Sequence, residues 1–130
     1  MRYTVNRLFG ALIVSAAAIT ASSAIGAERE ISGDYAMKGK SLSGGGPGYA
    51  GTCTLKRNEK VYQVNCVNTG SGDKYVGKGI VRDDMFSLYL GEYLVVYRIE
   101  ADGTLNGNWA HARSDDYGEE ILTPKAPKKK

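Results

Sequence analysis

The chain has 130 residues, a formal net charge of +3 and 42% hydrophobic residues, enough for one small core and one domain. Arg2 and Arg7 stand in its first segment and Lys125, Lys128, Lys129 and Lys130 in its last, which leaves residues 28–123 at −3. A nucleic-acid binder carries its positive charge on the folded surface, so that class of partner is not expected here.

Leu8 to Ile19 is apolar apart from Gly10 and Ser15, and Thr20 to Ala27 is small and polar. After the basic start, that order predicts a secretory signal peptide over 1–26. A membrane anchor fits less well, because the apolar run is shorter than the roughly 20 residues a span requires. Ala24-Ile25-Gly26 fits the small-x-small rule for cleavage, and no cysteine lies nearby to carry a lipid. The expected address is periplasmic or secreted.

The domain expected over 27–123 reads as a succession of short strands. Ile31 to Met37 predicts the first, with Tyr35 and Met37 on one face. Lys38 to Gly48, with its triple glycine and Pro47, reads as a rim loop; a phosphate-binding loop would need Lys-Ser/Thr and a helix after its last glycine. Tyr49 to Lys56 and Val61 to Val67 predict a hairpin turning near Asn58 to Lys60, which sets Cys53 opposite Cys66 and Leu55 opposite Val64. In an exported chain these two cysteines are expected to form a disulfide; a zinc site would need further ligands, and the single histidine, His111, is distant in sequence.

Lys74 to Arg82 follows the turn at Asn68 to Asp73 and puts Tyr75, Gly77, Gly79 and Val81 on one face. Two glycines there mark a bend or the close approach of another strand. Met85 to Leu90 lies between turns at Asp83-Asp84 and Gly91-Glu92. The clearest hairpin runs from Tyr93 to Trp109: Tyr93, Val95, Tyr97 and Ile99 alternate with Leu94, Val96, Arg98 and Glu100, and Asp102-Gly103 predicts a tight turn. Glu119 to Leu122 reads as the last strand, reached through His111 to Gly118. Pro124 to Lys130 is expected to be a disordered basic tail with at most weak contact to anionic membrane surfaces. About eight strands with no helical period predict an all-β fold, an up-and-down antiparallel barrel, with a β-sandwich as the alternative.

The run from Ala101 to Trp109, ADGTLNGNW, resembles the D-G-x-L-x-G-x-W hairpin of small exported bacterial barrels, including the avidin- and streptavidin-like proteins. The broader set of Gly33-Asp34-Tyr35, Tyr62-Gln63-Val64, Tyr75 to Gly79, Tyr97-Arg98-Ile99 and Glu120-Ile121-Leu122 is similar to a group of largely uncharacterised secreted bacterial proteins, some labelled fibronectin-binding. The resemblance implies a small exported barrel of the calycin or streptavidin kind. It does not extend to biotin, because the polar and tryptophan residues that contact biotin in that family have no matching set here.

For catalysis, His111 is the one available imidazole and reads as an exposed loop residue past Trp109. Asp83-Asp84, Asp115-Asp116 and Glu119-Glu120 could pair as acid and base, but sequence neighbours in a strand point to opposite faces. Asp115, Asp116, Glu119 and Glu120 lack the spacing of a calcium loop, so no metal or cofactor is expected. The nine tyrosines and one tryptophan carry more weight. Tyr35, Tyr62, Tyr97 and Trp109 are candidate ligand-binding residues, with Tyr75, Tyr89 and Tyr93 beside them, unless all of them form the core of a filled barrel. Arg98 joins them: facing inward it would need a carboxylate or a ligand, facing outward it is ordinary surface. The expected function is a non-enzymatic binding protein. Its open end, rimmed by 39–48 and 111–118, would meet a small molecule or an extracellular or periplasmic protein. The alternatives are a carboxylate-based hydrolase or isomerase and a structural envelope protein with a filled barrel.

Overall fold

The computed structural model describes residues 29–126, so the segment read as a signal peptide and the last lysines lie outside the described residues. Eight strands follow one another: β1 (Gly33–Ser41), β2 (Tyr49–Asn58), β3 (Val61–Asn68), β4 (Lys74–Arg82), β5 (Met85–Leu90), β6 (Tyr93–Ile99), β7 (Leu105–His111) and β8 (Tyr117–Pro124). Each pairs antiparallel with the next and β8 returns to β1, closing an up-and-down barrel. Closure leaves no strand edge unpaired. The barrel expectation holds and the sandwich does not.

Alternation sorts the side chains. Val64, Cys66, Phe86, Leu88, Val95, Tyr97, Leu105 and Leu122 are buried inside, while Asp34, Lys38, Lys78 and Arg82 are exposed on the outer wall. Val76, Ile80, Tyr89 and Leu94 are exposed among them. Cys53 and Cys66 are register partners and form the expected disulfide, Cα–Cα 4.1 Å, with Leu55 opposite Val64 as the alternation predicts. Such a bond is compatible with an oxidising extracellular or periplasmic compartment.

The turns are short where the sequence says so. Glu59-Lys60, Asp83-Asp84 and Gly91-Glu92 are two-residue links whose first residues have φ of 56°, 54° and 61°. Positive φ at that position suits the twist of the paired strands. The β6–β7 link departs from the expected two-residue turn. Gly103 N–H donates to Glu100 O and Glu100 N–H to Thr104 O, so Ala101, Asp102 and Gly103 form a three-residue turn closed by a glycine at φ 88°. Asp102 serves it through its side chain, accepting from Thr104 N–H at 2.9 Å.

One end of the barrel is sealed. Ile31, expected in the first strand, instead folds under the barrel ahead of β1, whose first residue Gly33 has φ 142°, and is 3% exposed. Tyr35 O–H donates to its carbonyl at 2.7 Å, its N–H donates to the Tyr62 hydroxyl, and Arg29 donates to the carbonyls of Ile99 and Glu100. Burial pushes the Tyr35 phenol up to about 12. Glu30 accepts from Ser32 N–H and pairs with Arg57 at 2.8 Å; these contacts hold its carboxyl down at about 2. At the chain's other end, β8 runs through Pro124, where the tail was expected to begin. Lys125 N–H donates to Asp34 O on β1, so the preceding nitrogen faces β7, whose pairing has already ended at Leu105 with Leu122. A proline there breaks no ladder bond.

If Ile31 is the plug of the sealed end, Ile31→Ala should destabilise the protein by about 2–5 kcal/mol in urea unfolding, the usual cost of emptying such a site. A loss under about 1 kcal/mol would mean that the end is closed by other groups.

Candidate functional site

The opposite end is open. The loops 42–48 and 112–116, both expected at the rim, do share it: Leu42 N–H donates to Tyr117 O at 2.9 Å and Tyr117 N–H to Ser43 Oγ at 3.1 Å. Beneath them lies a cavity of about 210 Å³ whose walls include Tyr49, Tyr75, Leu90, Tyr93 and Trp109, with Glu120 among its lining.

Glu120 sits on β8 between the inward-facing Gly118 and Leu122 and is 6% exposed. Its register partners are Gly39 on β1 and Gly107 on β7. A Cβ at Gly39 would strike the Tyr49 ring, and one at Gly107 the Tyr97 ring, so the two glycines clear the space through which both phenols reach the carboxyl. Tyr49 O–H donates to Oε2 at 2.7 Å and Tyr97 O–H donates to Oε1. No ion pair to Glu120 is present among the described residues. Burial therefore raises its pKa above the ordinary glutamate value, and the two phenol donors offset only part of the rise. Burial, reinforced by the neighbouring carboxyl, also drives both phenols upward, so each stays a protonated donor.

Three rings stand above this floor. Tyr93 meets Trp109 edge-on at 5.3 Å and 88°, and Tyr75 at 6.0 Å and 74°. Gly118, opposite Trp109, leaves the room that the indole occupies. The indole Nε1–H is buried with no hydrogen-bond partner among the described residues; it lies close enough to Tyr49 to favour the ionised phenol slightly, without the geometry of a bond. At the mouth, His111 closes β7 and its side chain is only 20% exposed, so it is not the free loop residue expected. Its Nδ1 accepts from Arg113 N–H at 3.1 Å, which puts the proton of the neutral ring on Nε2, 3.2 Å from Glu92 Oε2. Arg113 also pairs with Glu92.

The residues singled out from the sequence separate. Tyr97 and Trp109 belong to this site. Tyr35 and Tyr62 are at the sealed end, bonded to Ile31, with Tyr62 edge-on to Phe86 at 5.6 Å. Arg98 faces outward, in a shallow groove with Met85, Val96 and Glu100, because Tyr97 and Ile99 take the inner face. Tyr75 and Tyr93, named beside these candidates from the sequence, do line the cavity, whereas Tyr89 is exposed on the outer wall; sequence reasoning missed Glu120 and Tyr49. The alternation Gly118, Glu120, Leu122 carried a signal, but Tyr117 and Ile121 make the other face look equally apolar. Of the carboxylate pairs, Asp83-Asp84 turns at the sealed end, Asp115-Asp116 is exposed in the rim loop, and Glu119 points outward to Lys40 at 3.3 Å. Among the described residues no group of three or more His, Cys, Asp or Glu is placed to hold a metal. Neither a protein-family model nor a curated protein matches the chain.

Because the folded state holds the Glu120 proton more tightly than the unfolded chain, Glu120 favours folding below its ordinary value of 4.5, and that contribution is lost as pH rises through the raised folded value. Glu120→Gln removes this loss. Thermal melts should show the variant gaining on the wild type as pH rises from 4.5 through the raised folded value; a difference that does not change with pH contradicts the placement of a titrating carboxyl in the core.

Proposed function

We propose that the protein is an exported, non-enzymatic binding protein that holds a small molecule in the open-end cavity of its barrel. The observation that carries this reading is the cavity itself: aromatic walls over one buried carboxyl whose orientation is fixed by two phenols. Pre-formed apolar concavity with a few oriented polar groups is what small-ligand sites share. Its volume of about 210 Å³ is modest; a pocket of roughly 150 Å³ admits benzene, so the guest is of that order of size.

A carboxylate-based hydrolase or isomerase would need a second carboxyl converging on the first. Among the described residues that line the cavity, Glu120 is the one carboxyl. A structural protein with a filled barrel would have side chains throughout the interior, and the upper half is open. The disulfide and the signal-peptide pattern of 1–26 support an oxidising address outside the cytoplasm. A second reading, a periplasmic or extracellular protein as partner, is favoured by the outer wall. Tyr89 is the register partner of Leu94 there, and the two are 55% and 59% exposed.

Native mass spectrometry of the mature protein taken from its own compartment tests the proposal. A mass above that of the oxidised chain, with a small molecule released on denaturation, is the expected result. A bare oxidised chain whose Trp109 emission responds to no member of a small-molecule panel would contradict it.

A further inference from the structure

Resting on the small-molecule reading above, we infer that the cavity selects an organic cation, an ammonium group with small alkyl substituents, over neutral or anionic guests of the same shape. The sign of the charge comes first. Glu120 is the one carboxyl of the lining and, among the described residues, no lysine or arginine lines the cavity with it, so an anionic guest would meet a like charge in a low-dielectric site. A guest cation would supply the opposite charge that no ion pair among the described residues gives Glu120.

The walls support the same class. Tyr93 stands near a right angle to both Trp109 and Tyr75, so the three rings form adjoining sides of a box. Aromatic faces attract a cation through their quadrupole, which suits alkylated ammonium groups that have few or no N–H donors to offer. The phenols of Tyr49 and Tyr97 are already bonded to Glu120 and so hold the carboxyl in place for a guest.

The test uses the full mature chain with its disulfide intact. The probes are choline, tetramethylammonium and 3,3-dimethylbutan-1-ol, the last being choline's shape with carbon in place of the charged nitrogen. Trp109 is the single tryptophan, so its emission reports on this cavity directly, and calorimetry checks the stoichiometry. Choline should give a saturable change, and the uncharged isostere should bind about tenfold or more weaker. Glu120→Gln should weaken choline about tenfold while leaving the isostere within about twofold. If that variant lacks the wild-type circular dichroism, Tyr93→Leu replaces it, with the same preferential loss of choline.

Equal binding of choline and the isostere, or undiminished choline binding by the variants, overturns the cation class while the small-molecule reading stands. No saturable change with any of the probes also overturns it. In that case a neutral molecule released in the native mass measurement would keep the binding reading, and a bare chain would end both.

Discussion

Everything in this barrel depends on a limit of space. Eight strands enclose an interior just wide enough for side chains to fill, so a large ring pointing inward needs a small residue facing it. The chain supplies glycine at those positions: a Cβ at Gly79 would meet Phe86, at Gly107 Tyr97, at Gly118 Trp109, and at Gly51 Met37. In the lower half the rings then pack on one another, Phe86 on Tyr97 at 6.1 Å and Tyr62 against Phe86, with Ile31 folded beneath them. In the upper half Tyr75, Tyr93 and Trp109 line the wall and leave the centre open. The division of the barrel into a filled end and a receptive end thus follows from where glycines and rings face each other.

Glu120 marks the boundary between the two halves. A carboxyl taken out of water is costly unless hydrogen bonds and opposite charge compensate it, and here two phenols supply the first without the second. An apolar residue would serve a merely structural core at least as well. An acid whose pKa is raised by burial at the edge of a concavity is more readily explained by what it meets there. Its neighbours are consistent with that role: each phenol is held as a donor by its own burial, so the carboxyl is fixed in orientation.

How much of this was legible in the sequence depends on how cleanly each strand alternates. The β2–β3 hairpin was readable to the residue, since Cys53, Leu55, Val64 and Cys66 all lie on one parity and the disulfide demands that they meet. The same parity placed Tyr75, Gly77, Gly79 and Val81 together, and all of them face inward. Strand β6 was ambiguous because Leu94 and Val96 outside are as apolar as Val95 and Tyr97 inside; the face of Arg98 was settled only by closure of the barrel. Strand β8 hid its acid for a similar reason, with Glu119 and Glu120 adjacent and Ile121 exposed at 42%. The sealing role of Ile31 had no local signature, because it depends on hydroxyls from Tyr35 and Tyr62 that only the three-dimensional fold brings beneath it. Tyrosine content alone could not distinguish core from cavity: Tyr62 and Tyr93 have the same chemistry at opposite ends of one barrel.

The central claim is that a carboxyl lies buried between two phenols at the floor of the cavity. A ¹³C NMR titration of the Glu120 side-chain carboxyl, assigned by comparison with Glu120→Gln, measures it directly. The account expects a midpoint above the ordinary glutamate value of 4.5, with the resonance insensitive to added salt. A midpoint at or below 4.5 would place the carboxyl in contact with water or with a cation of the chain itself, and would remove the basis for the site.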